Sequence, residues 1–302
     1  MTADEAGQRL RVAVVGTGRM GAAMAGRLGA AGHDLVLFNR TADRAAALAS
    51  SLGAVSARTA GEASDGAHVV FVSLADDAAV DAVYRGPDGL AAGLGDGSVV
   101  IETSTVAPAT VRGLAPLVEQ RSAALLDAPV SGSVPVVERG ELTFLVGGDA
   151  AVLDRVRPVL AALAKRVFHL GGHGAGATAK LAVNSVLYGL NQALAEALVL
   201  AEKAGLDRAA IYEVFAASAI GAPYVQYKRA AFEQPDTAPV AFSIDLVAKD
   251  LDLILALAAE AGATMEQAAI NSRVVEAAVA AGLGGHDLSE LATYLRGAPD
   301  GA

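Results

Sequence analysis

Three glycines, Gly16, Gly18 and Gly21, stand at G-x-G-x-x-G spacing directly after a short β-branched run at residues 10–15 and directly before an alanine-rich stretch reaching residue 28. A strand that turns tightly into a helix leaves the first N–H groups of that helix unpaired, and such groups attract a pyrophosphate. Gly16 permits the turn, Gly18 lets the backbone approach the phosphates, and Gly21 allows close packing of helix on strand. Each glycine weakens the element it sits in, so three together point to a bound dinucleotide rather than a bare turn.

The end of the next strand-like run, residues 35–38, discriminates between dinucleotides. An NAD site usually carries a carboxylate there for the ribose hydroxyls; this chain has Asn39, Arg40 and Thr41. Asn39 can bond a ribose oxygen without repelling a 2′-phosphate, Arg40 can offer that phosphate charge-assisted donors, and Thr41 adds a hydroxyl. The expected cofactor is NADPH in preference to NADH.

A second constellation runs through Gly174, Gly176, Lys180 and Asn184. Lys180 and Asn184 are four residues apart and therefore share one helix face. A lysine on a helix is ordinarily solvated, but this one opens an alanine- and leucine-rich segment where that reading fits poorly. Asn191 extends the polar stripe and reads as an interhelical hydrogen bond. Asp127, Ala128, Pro129, Val130, Ser131, Gly132 and Ser133 follow an apolar run and close in a small-residue turn whose N–H groups and hydroxyls can hold a carboxylate. Asp127 itself reads as a strand-end residue. His169 and His173 have no third ligand at metal spacing, so no metal is expected.

Elements must hold these residues in place. Strand-like runs at 35–38, 69–73, 99–102, 125–128, 142–146 and 167–170 alternate with helical stretches, which predicts a parallel sheet covered on both faces. From residue 177 to about 204 the pattern is one long helix. Segments near 207–217, 244–261, 264–281 and 288–296 are helical too, so the second half is expected to be all-α. The expected organisation is a tail at 1–9, a nucleotide-binding domain at 10–174, and a helical domain at 175–302 that ends in a frayed 297–302.

A net charge of -10 argues against nucleic acid or anionic lipid as a partner, because both need attraction to a basic surface. Hydrophobic residues at 53% against 19% charged exclude a disordered chain. With no cysteine there is no disulfide and no thiolate chemistry. The polar start and the lack of a long apolar run lead us to expect a cytoplasmic protein.

Taken with these residues, the sequence resembles the β-hydroxyacid dehydrogenase family, which includes 3-hydroxyisobutyrate dehydrogenases, tartronate semialdehyde reductases and glyoxylate/succinic semialdehyde reductases. The resemblance rests on GTGRMGAAMAGRL from Gly16, DAPVSGS from Asp127, GAGATAKLAVN from Gly174 and KDLDL from Lys249, in the family's order. It implies a Rossmann domain joined by the long helix to a helical domain that dimerises or assembles further, with the active site in the cleft between them. It also implies Lys180 as general acid/base, Asn184 orienting substrate, and Ser131, Gly132 and Ser133 around the substrate carboxylate. Arg19 and Met20 within the glycine motif, Leu74, Ala75 and Thr105 in neighbouring loops, and Lys249 are implied cofactor contacts. Ser133, where many members have glycine, and Asn39-Arg40-Thr41 resemble the NADPH-dependent glyoxylate and succinic semialdehyde reductases most. The implied substrate is a small carbonyl compound bearing a carboxylate. Two alternatives stand beside this reading. One is an imine reductase, whose usual proton donor at the position of Lys180 is Asp or Tyr and in which Tyr224 or Tyr227 would lie near substrate. The other is a non-catalytic dinucleotide-binding module.

Overall fold

The computed structural model describes residues 9–235 and 237–297. The expected tail at 1–9, apart from Arg9, and the expected frayed end beyond Gly297 lie outside the described residues. The chain divides into two compact units, Met1–Lys180 and Leu181–Ala302.

The first unit opens with β1 (Arg11–Val15), α1 (Arg19–Ala30), β2 (Asp34–Phe38), α2 (Ala42–Leu52), β3 (Val55–Ser56), α3 (Ala60–Ser64) and β4 (Val69–Val72). It continues through α4 (Asp77–Tyr84), α5 (Leu90–Gly93), β5 (Val99–Glu102), α6 (Pro108–Glu119), β6 (Ala124–Asp127) and β7 (Val130–Ser131). Then come α7 (Val134–Glu138), β8 (Leu142–Gly147), α8 (Ala150–Leu160) and β9 (Ala164–Gly171). The strands lie in the order β3-β2-β1-β4-β5-β6-β8-β7, with β9 on β8. Pairing is parallel from β3 to β6. Beyond β6 the sheet reverses: β8 pairs antiparallel with both β6 and β7 and parallel with β9. The connection from β6 to β8 carries only the short α7 and no full crossover helix, and a parallel return needs such a crossover.

Both faces of this sheet are buried, which is why its strands read as unbroken apolar runs. Val12 and Val14 point into one core with Met24, Leu28 and Phe71. Ala13 and Val15 point into the other with Val70, Val72 and Tyr84. That alternation is the two-residue period of a strand. β1 connects to β2 on one side of itself while β4 lies on the other, so the carboxyl ends of β1 and β4 form the crevice where open α/β sheets bind ligands.

The long helix α9 (Ala175–Lys203) begins in the first unit and runs through the second, which adds α10 (Arg208–Ala217), α11 (Pro223–Glu233), α12 (Ile244–Ala261), α13 (Glu266–Ala278) and α14 (Leu291–Gly297). Its core includes Leu181, Leu198, Tyr212, Val225, Phe232, Leu251 and Ile254. Helix α11 was absent from the sequence expectation. Its buried positions Tyr224, Val225, Lys228, Ala231 and Phe232 follow helical spacing, but the lysine masks the apolar stripe. Lys228 is buried because its ammonium lies 2.5 Å from Asp287 Oδ1, and Asp287 Oδ2 also accepts from the N–H of Ala241 at 2.7 Å. The helix expected at 264–281 ends at Ala278 and passes into a π-helical turn, Val279–Leu283, broken by Gly282 at φ 88°. Among the described residues no helix is long and apolar enough to cross a membrane.

Candidate active site

The glycine turn is built as its spacing requires. Gly16 has φ 93°, and a Cβ there would fall 2.2 Å from the Ser73 carbonyl oxygen. A Cβ on Gly21 would fall 2.0 Å from the Gly16 carbonyl oxygen, whereas one on Gly18 would meet nothing within 4 Å. Two glycines are therefore demanded by packing and the third fronts open space. Gly18 is the N-cap of α1, with no side-chain cap and no acidic residue in the first turn. The N–H groups there are left for an anion. Arg19 is exposed and Met20 half-buried at this helix head. Thr17 adds a buried hydroxyl without a protein partner. These residues fit the pyrophosphate of a dinucleotide.

Side chains from two neighbouring strand ends fasten this turn. The Gly16 N–H donates to Phe38 O at 2.8 Å. Thr17 N–H donates to Asn39 Oδ1 at 3.2 Å, and Asn39 Nδ2 donates to Thr41 O at 3.1 Å. Asn39 thus ties the β1 and β2 loops together, a duty the sequence did not disclose. Arg40 and Thr41 stand exposed beside it. On the other side Leu74 N–H donates to Ser104 Oγ at 2.8 Å, Ala75 is exposed, and Thr105 is half-buried in the β5 loop.

Glu102, the last residue of β5, is fully buried. Its Oε1 accepts from Ser104 N–H at 2.8 Å and its Oε2 from the Tyr84 hydroxyl at 3.0 Å. Burial pushes its carboxyl up to about 7, with nearby Asp127 adding to the rise and the Ser104 and Tyr84 bonds opposing it. A carboxyl raised above its ordinary 4.5 contributes stability that is fully present below about 4.5, where both states are protonated, and is lost as pH rises from there through about 7. Glu102→Gln is accordingly expected to remove a stability loss on the order of 3 kcal/mol between about pH 5 and pH 8. Urea melts across that range measure it; a slope equal to wild type would place the pH dependence in other groups.

Asp127 ends β6 and sets the start of α9. Its two carboxylate oxygens accept from Gly174 N–H at 3.0 Å and Ala177 N–H at 2.9 Å. Burial raises its carboxyl above the ordinary range, while those two N–H groups pull the other way. Gly176 must be glycine because a Cβ would lie 2.3 Å from Leu145 O and 2.5 Å from Asp127 O. Lys180 follows on this anchored turn and is half-buried. Ser131 ends β7, and Gly132, at φ 144°, is exposed beside it. Ser133 is the N-cap of α7. The two histidines serve the backbone: the His169 ring bonds Gly148 O at 2.8 Å and the His173 ring bonds Leu125 O at 2.9 Å.

In the second unit Asn184 is buried, and its Nδ2 donates to Asp250 Oδ2 at 2.7 Å and to the Tyr188 oxygen at 3.1 Å. Tyr188 in turn donates to Asp250 Oδ2 at 2.5 Å, and burial beside that carboxylate holds its phenol well above the ordinary range and protonated. With both amide hydrogens engaged, Asn184 presents Oδ1 as its acceptor. Lys249 Nζ lies 2.7 Å from Asp250 Oδ1. Asp250 and Tyr188 were missed in the sequence, although Tyr188 continues the Lys180 and Asn184 spacing and Asp250 follows Lys249 directly. Asn191 does make the interhelical bonds expected of it, donating to Leu288 O at 3.1 Å and accepting from the Tyr224 hydroxyl at 2.7 Å. Tyr224 is therefore buried and engaged, while Tyr227 is 54% exposed.

Residues 11–171 match the family model described as the NAD binding domain of 6-phosphogluconate dehydrogenase. Residues 174–295 match the model described as NAD-binding of NADP-dependent 3-hydroxyisobutyrate dehydrogenase. The chain is similar to the NAD-dependent L-serine dehydrogenase of Pseudomonas aeruginosa, 38% identical over 70% of each chain. It is also similar to the chloroplastic glyoxylate/succinic semialdehyde reductase 2 of Arabidopsis thaliana, 32% identical over 98% of this chain and 82% of that one. Among solved structures, Mycobacterium tuberculosis 3-hydroxyisobutyrate dehydrogenase with L-serine superposes with a TM-score of 0.83 at 33% identity, covering 96% of this chain and 100% of that one. The protein is thus an NAD(P)-dependent oxidoreductase. With a nucleotide turn of this geometry and models of one kind matching both halves, the chain belongs to the β-hydroxyacid dehydrogenase family.

Proposed function

We propose that the protein moves a hydride between NADPH and a small carbonyl acid or its β-hydroxyacid partner, with Lys180 as general acid/base. The observation that carries this reading is the anchoring of α9: Asp127 holds its first turn through two N–H groups, fixing the helix from which Lys180 projects. Asn184, one turn on, is locked by Asp250 and Tyr188 so that its Oδ1 accepts from substrate or from an ammonium.

Bound NADPH supplies the hydride. As negative charge develops on the carbonyl oxygen, the Lys180 ammonium donates a proton to it; in the oxidative direction the amine takes the proton from the hydroxyl. Ser131, Gly132 and Ser133 hold the substrate carboxylate through a hydroxyl and backbone N–H groups. Arg40 and Thr41 would hold the 2′-phosphate, and Leu74, Ala75, Thr105 and Lys249 would be further contacts of the dinucleotide. The relatives' names carry the same substrate chemistry, since L-serine is a β-hydroxyacid and succinic semialdehyde an aldehyde with a carboxylate. Val186 at 73% exposure and Leu200 at 71% leave an apolar face on α9 that suits a homodimer or larger homo-oligomer in the cytoplasm.

Initial rates test the reading. Glyoxylate, succinic semialdehyde and tartronate semialdehyde would be offered with NADPH and NADH, L-serine and 3-hydroxyisobutyrate with the oxidised cofactors, and one cyclic imine with NADPH. Fast NADPH-dependent turnover of an acid aldehyde is expected. Turnover of the imine alone would make the protein an imine reductase, and binding without any turnover would make it a dinucleotide-binding module.

A further inference from the structure

We propose that Glu102 is a positioning residue for the dinucleotide, acting through Ser104 and Leu74 on the glycine turn. The contacts form an unbroken series. Glu102 Oε1 accepts the Ser104 N–H at 2.8 Å, and Ser104 Oγ accepts the Leu74 N–H at 2.8 Å. Leu74 and Ser73 in turn close on Gly16: a Cβ built there lies 2.9 Å from Leu74 Cδ2 and 2.2 Å from Ser73 O. One buried carboxylate at the end of β5 thereby sets the height of the β4 loop against the turn that receives the pyrophosphate. Tyr84 holds the far side of that carboxylate at 3.0 Å from within the helix packed beneath it. Its phenol, raised well above the ordinary range by burial and by Glu102, remains a donor.

The geometry separates positioning from simple fold maintenance. The β4 and β5 loops are stitched together a second time, independently, by Asp77 Oδ1, which accepts from Ala107 N–H at 2.9 Å and the Thr110 hydroxyl at 2.5 Å. Removing the Ser104 link therefore leaves the loops joined at their far ends, leaves Ser73 N–H on Val15 O and Thr103 on Val72 O, and frees Leu74, whose side chain touches Gly16. A glutamine at position 102 preserves the relay, since its amide oxygen can still accept from Ser104 while its amide nitrogen donates to Tyr84. A methionine fills the volume and offers no comparable acceptor, leaving the Ser104 N–H unpaired.

The inference rests on dinucleotide binding by this unit, and the experiment keeps the two apart. NADPH and NADH would be titrated separately by nicotinamide fluorescence into wild type, Ser104→Ala, Glu102→Met, Glu102→Gln and the Ser104→Ala/Glu102→Met double variant. Each breaking single variant is expected to weaken both dinucleotides about tenfold, the size of one lost buried hydrogen bond. The double variant is expected to be no weaker than either single, because the residues act in series. Glu102→Gln is expected to stay within about twofold of wild type, and in turnover the Ser104→Ala loss should fall on the KM for dinucleotide rather than on kcat. Should Glu102→Met not fold, Glu102→Leu, which likewise offers no acceptor to the Ser104 N–H, takes its place. Breaking variants that bind like wild type, or a double variant whose losses multiply, overturn the relay alone. A wild-type protein that binds neither dinucleotide overturns the dinucleotide reading, and the relay with it.

Discussion

Lys180→Ala is expected to lower turnover by about 10²- to 10⁴-fold while leaving the Kd for NADPH within about twofold of wild type. The proposed chemistry asks one group to deliver a proton to the forming alkoxide, and Lys180 is the residue the helix supplies for it. Alanine is the best helix former, so the substitution leaves α9 and its anchoring by Asp127 intact. The glycine turn is held by Phe38, Asn39 and Leu74. Single-turnover rates with saturating NADPH, alongside a binding titration, separate the two effects. Turnover within tenfold of wild type would remove Lys180 from the proton transfer and leave the hydride step to proceed with another donor.

Arg40→Ala is expected to raise the KM for NADPH by about 10- to 100-fold and to change that for NADH by less than about twofold, the span of one or two charge-assisted hydrogen bonds to a phosphate. No carboxylate stands at the end of β2 to grip the ribose hydroxyls or to repel a 2′-phosphate. Asn39 spends its amide on Thr17 and on Thr41 O, so the proposed reading leaves the phosphate to exposed Arg40. Steady-state kinetics with both cofactors, at fixed ionic strength because the contact is between exposed charges, give the answer. Equal changes for NADPH and NADH would mean that Arg40 does not recognise the phosphate and that selectivity lies elsewhere in the loop.

Much of this protein is legible in its residue order because local chemistry has few solutions. A β-branched run, three spaced glycines and an alanine-rich run can hardly form anything but strand, turn and helix, and β1 and α1 appear where that reasoning places them. The long helix, the parallel sheet through β6 and the helical second half follow from periodicity alone. Where the reading failed, a tertiary partner had overridden a local signal. Helix α11 hid because a lysine sits on its buried face, tolerable only beside Asp287, which lies 59 positions away. The short strands β3 and β7, of two residues each, have no periodicity to detect and exist because a neighbouring strand pairs with them.

The amino-acid sequence by itself determined the nucleotide turn, the absence of a carboxylate at the end of β2, and the placing of Lys180 and Asn184 on one helix face, since each depends on residues close together along the chain. Only the tertiary structure decided what holds those groups still. Asp127 reaches α9 across about 50 positions, Asp250 locks Asn184 across 66, and Ser104 fastens Leu74 across 30. Spacing rules cannot reach such pairs, because a buried carboxylate takes whatever N–H or amide the completed packing brings to it, and an unpaired one would not be buried at all.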